Sequence, residues 1–167
     1  MRFQFILAAS TSLLSLASAR LVGISVPDTI KPGDGFNFIL INENYSQSVY
    51  DVAVAVGVSP KPGYPGELGN VIGSYYLGPG KLAHRNHRVK VGILYWCFDA
   101  EQSNTGHDVP KWVTLPATTA KGPAYITAGL FSLYGAGADP TITHFNVSVT
   151  VGDATSTNYV TGGIITA

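Results

Sequence analysis

A chain of 167 residues carries ten basic and ten acidic side chains, and only 12% of it is charged. That balance leaves no electrostatic grip on nucleic acid or anionic lipid. The hydrophobic content of 46%, with Val, Tyr, Thr and Gly prominent, favours strands and turns over helices.

Met1-Arg2, an apolar run over 3–16 and the small-x-small tripeptide Ala17-Ser18-Ala19 open the chain. They are the three regions of a secretory signal peptide. The run falls short of the roughly 20 apolar residues that a membrane span needs. It also lacks the helically spaced polar residues of a buried amphipathic helix, and no later stretch is long and apolar enough to span. The expectation is a signal peptide at 1–19, a mature chain from Arg20, and a secreted domain at 20–167 with no membrane span. Cleavage leaves 148 residues, nine basic against ten acidic, which suits one domain with a sizeable core.

Residues 21–26 read as a short strand stopped by Pro27. The stretch 28–34 follows as a turn-rich link punctuated by Pro32 and Gly33. Phe36, Phe38 and Leu40 alternate with Asn37 and Ile39, the period of a half-buried strand. Val52, Val54, Val56 and Val58 then share one face, with Ala53, Ala55 and Gly57 on the other. So apolar a run predicts a central strand. Residues 59–69 hold three prolines and three glycines and read as a loop, before β character returns at 71–77 and stops at Gly78-Pro79-Gly80.

Farther on, 111–115 is a short strand ended by Pro116. Over 124–134, Tyr125, Thr127, Gly129, Phe131 and Leu133 alternate with Ile126, Ala128, Leu130 and Ser132. Over 142–151, Phe145, Val147, Val149 and Val151 alternate with His144, Asn146, Ser148 and Thr150. The stretch 153–158 is a polar loop, and 159–167 is a frayed strand or a disordered tail. About seven short strands without a helical period predict an all-β, immunoglobulin-like β-sandwich. A closed barrel is the alternative.

Small secreted domains often rely on disulfides, but Cys97 is the only cysteine. The core alone must hold the fold. Two N-glycosylation sequons, at Asn44 and Asn146, suit the secretory route. Residues 88–107 break the style of the chain and hold that cysteine and one of two tryptophans. Without them His87 runs into Asp108-Val109-Pro110, a plausible polar linker. The segment is either a retained intron in the gene model or another strand over 89–98 with a long loop.

No catalytic constellation stands out. His84, His87, Cys97 and His107 are donors that zinc accepts, but their spacing is dispersed, so no metal or cofactor is expected. There is no Gly-x-Ser-x-Gly elbow. Asp28, Asp34, Glu43, Asp51, Glu67, Asp139 and Asp153 mostly fall in turns and at strand ends, where aspartate usually bonds its own backbone. Copper monooxygenases that attack polysaccharides need a mature N-terminal histidine, and Arg20 stands there. The chain is therefore not expected to be an enzyme. Aromatic side chains remain: Tyr64 in the loop, Tyr76 beside Tyr75, and Tyr134 at a strand end. Alternation sends one of Tyr75 and Tyr76 inward and the other outward. Exposed tyrosine favours interfaces because it offers large area and a polar tip, so Tyr64, Tyr76 and Tyr134 are the candidate partner contacts.

Several stretches resemble the necrosis-inducing secreted effector (Nis) family of filamentous fungi. They are Gly23-Ile24-Ser25-Val26-Pro27, Thr29-Ile30-Lys31-Pro32-Gly33-Asp34, Gln47-Ser48-Val49 with Asp51-Val52-Ala53, Gly63-Tyr64-Pro65-Gly66, and Tyr76-Leu77-Gly78-Pro79. Leu130-Phe131-Ser132-Leu133-Tyr134-Gly135-Ala136 and Val147-Ser148-Val149-Thr150-Val151-Gly152-Asp153 complete the set, which runs in order along nearly the whole mature chain and skips 88–107. The resemblance implies an effector that binds host plant proteins, receptor-associated kinases among them, suppresses pattern-triggered immunity and provokes cell death in some plants. It implies action outside the fungus, with translocation into host cells as one route. The alternative is a carbohydrate- or cell-wall-binding module in which Trp112 or exposed tyrosines stack on sugars. A hydrolase with an unrecognised carboxylate pair is the third reading. Oligomeric state is left open.

Overall fold

In the last long strand every second residue from Phe145 to Val151 is buried, and His144, Asn146, Ser148 and Thr150 face outward. The computed structural model describes residues 18–78 and 106–165. They form β1 (Ser18–Pro27), β2 (Thr29–Ile30), β3 (Gly35–Tyr45), β4 (Val49–Ser59), β5 (Asn70–Tyr76), β6 (Val109–Thr114), β7 (Gly122–Tyr134), β8 (Asp139–Val151) and β9 (Tyr159–Gly162). One sheet has the order β6-β3-β1-β9 and the other β2-β8-β7-β4-β5. The order of β1, β3 and β6 in one sheet and β5, β4, β7 and β8 in the other is that of an immunoglobulin sandwich.

Two strands extend the expected seven. The link after Pro27 holds β2, which pairs in parallel with β8 through Thr29–Thr150 and Ile30–Val151. The tail holds β9, antiparallel to β1 from Ile24–Gly162 to Pro27–Tyr159. Both were too short and too polar to show a period. The sheets are joined by backbone at both places. At Pro27-Asp28 the chain leaves one sheet for the other, and Thr150 donates to the Asp28 carbonyl at 2.8 Å. Beyond β9, Ile164 bridges Phe145, and Ile165 donates to the His144 carbonyl at 2.8 Å.

The core lies between the sheets. Ile24, Phe36, Phe38, Leu40 and Val113 meet Val54, Val56, Ile126, Leu130, Phe145 and Val147, all buried. Burying such a side chain fully stabilises by about 1.5–3 kcal/mol. β4 is central, between β7 and β5. Its four-valine face is corrected in one respect: a register shift between Asp51 and Ala53 bulges the strand at Val52. Val49 and Asp51 point inward before the bulge, Val54, Val56 and Val58 after it, and Val52 is only half-buried. An extra residue flips the side-chain parity of everything beyond it.

The segment 88–107 joins β5 in one sheet to β6 in the other, and its residues up to 105 lie outside the described ones, as do 1–17.

Candidate functional site

The outward face of the five-stranded sheet divides into a covered half and an open half. The loop 60–69 makes the cover. It leaves the end of β4 and lies back across β7 and β8, where Asn146 Nδ2 donates to the Pro62 carbonyl (3.2 Å) and Thr127 Oγ1 donates to the Leu68 carbonyl (2.8 Å). Gly57 lets it approach: a Cβ there would stand 1.9 Å from the Leu68 oxygen. At the loop's tip Glu67 N donates to the Tyr64 carbonyl at 3.0 Å, with Pro65 next and Gly66 at φ 99°. That is a type II turn, which takes Pro and then Gly at its centre. It presents Tyr64 at 69% exposure.

The open half is built by register. Ile142 on β8 pairs with Phe131 on β7, Phe131 with Ala53 on β4, and Ala53 with Tyr76 on β5. At about 4.8 Å per strand the row spans about 14 Å. Ile142 is 64% exposed, Tyr76 46% and Phe131 38%. The row nearer the sheet end is Tyr50–Leu133–Pro140. The Tyr50 and Tyr76 hydroxyls lie 3.1 Å apart. This hydrogen bond, more than burial, raises the Tyr50 pKa above its ordinary value. None of these seven residues is charged. Depletion of charge with enrichment of aromatics marks the centre of a protein-binding surface.

The structure separates the three tyrosines singled out from sequence. Tyr76 lies in the open row, as the outward partner of inward Tyr75. Tyr64 stands on the loop of the covered half. Tyr134, opposite Val49, closes the end of the sandwich edge-on to Tyr45, with ring centroids 6.2 Å apart and planes at 83°. Arg20 stacks its guanidinium 4.7 Å from the Tyr45 ring centroid, and burial first, then Asp51, raises the Tyr134 pKa. Phe131, Ile142 and Tyr50 were missed. Their signal was an outward position occupied by a large apolar or aromatic side chain: on β7, apolar on both faces, alternation does not say which is out, whereas on β8 Ile142 shares the parity of the polar His144 and Asn146.

Of the sequons, Asn44 is exposed near the end of β3, whereas Asn146 is half-buried in β8 beneath the loop. Asp51 is buried and accepts a 2.6 Å hydrogen bond from Ser132 Oγ, itself fully buried and out of reach of any substrate. At the far end of the sheet a cleft of about 290 Å³ is lined by Ser59, Asn70, Thr119, Lys121 and Pro123 among others. Among the described residues Lys121 is its only titratable lining residue and is engaged by Asp153, whose pKa the Lys121 hydrogen bond and charge lower. Of the zinc-type donors only His107 lies among the described residues, where no His, Cys, Asp or Glu cluster of metal-binding size occurs. No helix there is long and apolar enough to cross a membrane.

These features define a class: an immunoglobulin-like sandwich with an uncharged, aromatic sheet face left open among the described residues. Residues 17–150 match the model of the Nis1 family, and the chain belongs to that family. It is 44% identical to necrosis-inducing secreted protein 1 of Colletotrichum orbiculare, over 96% of this chain and 86% of that one. To the protein of the same name from Colletotrichum higginsianum it is 42% identical, over 96% of this chain and 97% of the relative. The chain is, like them, a secreted, extracellular protein.

Proposed function

We propose that this protein is a non-catalytic effector that binds a host plant protein, a kinase associated with immune receptors, and thereby suppresses pattern-triggered immunity and in some hosts induces cell death. The host-directed part is supported by membership of a family whose relatives are named for necrosis. The row Ile142–Phe131–Ala53–Tyr76 carries the binding part: a desolvated aromatic centre is where affinity concentrates in protein interfaces. Catalysis would need an acid–base pair or an activated nucleophile within reach of substrate, and the cleft offers one paired lysine. Reaching a kinase requires passage into the host cell.

The test is capture from plant extract by the mature protein beside the double variant Phe131→Ser/Ile142→Ser. The wild type is expected to enrich a receptor-associated kinase. The variant is expected to lose about tenfold or more in affinity, since an interface anchor is worth about 2 kcal/mol or more. Equal capture by both moves the contact off this face, and capture of no kinase by either removes the kinase reading.

One observation favours a second reading, a cell-wall-binding module. Trp112 is 63% exposed on the opposite sheet, and its indole lies against Gly35 with Asn37 across the strand pair. Retention on chitin or β-glucan that Trp112→Ala abolishes and Phe131→Ser/Ile142→Ser leaves unchanged would establish it.

A further inference from the structure

The two sequons are equivalent as tripeptides and opposite as places in the fold. Asn44 is exposed near the end of β3, opposite Ala19 in the strand register. In a chain that begins at Arg20 no β1 residue stands across from it. Asn146 sits in the body of β8, between Thr127 on β7 and the tail, where its backbone N donates to the Gly163 carbonyl at 3.4 Å. Its side-chain nitrogen, the atom a glycan would occupy, donates to the Pro62 carbonyl and helps hold the loop 60–69 on the sheet.

We propose that the secreted protein carries one N-linked glycan, on Asn44, and that Asn146 is kept unmodified as the strap that docks the Tyr64 loop. The donor is a lipid-linked oligosaccharide diphosphate of the secretory pathway. Asn44 Nδ2 forms the bond to C1 of the first sugar, the C1–oxygen bond to the diphosphate breaks, the lipid diphosphate leaves, and Nδ2 gives up one proton. The same product on Asn146 would still carry one N–H, but it would set a sugar where the loop packs. Gly57 shows how little room that face leaves, with the Leu68 carbonyl already inside the reach of a Cβ. Transfer precedes folding, so selection acts afterwards: chains modified at Asn146 cannot seat the loop and do not join the folded, secreted pool.

The test expresses the full chain in a eukaryotic secretory host, collects folded protein from the medium and releases N-glycans enzymatically in heavy-oxygen water. Peptide mass spectrometry then reads which asparagine was converted to labelled aspartate. Label at Asn44 alone is expected. Label at Asn146, at both sites or at neither overturns the proposal. Asn44→Gln is expected to abolish the glycan-dependent gel shift, and Ser46→Ala provides the same loss while keeping the Asn44 side chain, should the first variant be secreted poorly. Asn146→Gln is expected to leave the glycan mass unchanged and to increase cleavage in the loop by protease several-fold. Unchanged cleavage would overturn the strap.

Discussion

Ser132 and Asp51 form a buried polar contact, and its hydrogen bond is short because the acceptor is a carboxylate. Ser132→Ala strips the buried carboxylate of one donor, and the expected loss is about 1–3 kcal/mol, seen as a lower denaturant midpoint with an unchanged slope. Tyr75 makes a second prediction. Its ring packs on the core, its hydroxyl donates to the Trp112 carbonyl at 2.5 Å, and burial pushes its pKa up. The folded state therefore holds the phenolic proton more tightly than the unfolded chain does. Stability from this group is fully present below the unfolded tyrosine value of about 10. It falls as pH rises through the higher folded value. Unfolding midpoints across alkaline pH are expected to show that decline, and Tyr75→Phe to flatten it while lowering the neutral plateau.

The loop 60–69 behaves as an element in its own right, since side chains of two strands and one missing Cβ hold it to the sheet. Gly57→Ala brings a methyl into the Leu68 carbonyl, and the expected cost is about 1–3 kcal/mol of overpacking, together with faster proteolysis within the loop. Elements of this size differ in how far sequence reveals them. β8 and β3 were legible because every second residue is large and apolar. β2 was not, because two residues cannot display a period, and β9 was legible only as the frayed-strand alternative for the tail 159–167. The bulge at Val52 was invisible for a different reason: the valines run on through it, and only pairing with β7 shows that parity has switched. The open row was half legible, through Tyr76. Phe131 lies on β7, apolar on both faces, where alternation does not say which face is out; Ile142 shares the outward parity of His144 and Asn146 on β8, a signal that was present and not used.

At the scale of the molecule, the segment 88–107 is the part that the family resemblance does not need. Its removal deletes none of the described core residues, since Leu77 and Val109 flank it. β5 and β6 already meet where Tyr75 bonds Trp112, and the remaining residues 78–87 and 108 extend to roughly 36 Å. The protein lacking 88–107 is expected to unfold cooperatively with a midpoint within a few degrees of the full chain. Transcript sequencing is expected to find messages without the segment. A shortened protein that fails to fold would place 88–107 inside the domain.

The two backbone crossings, at Pro27-Asp28 and beyond β9, have a consequence for where the protein can remain folded. Other secreted domains of this size commonly rivet their layers with sulfur, and a thiol-rich medium undoes that rivet. Here the layers are sewn by the chain itself, and the thermal midpoint of the purified protein is expected to be the same with and without dithiothreitol. A fold sewn this way passes from an oxidising fluid to a reducing cytosol with its architecture intact.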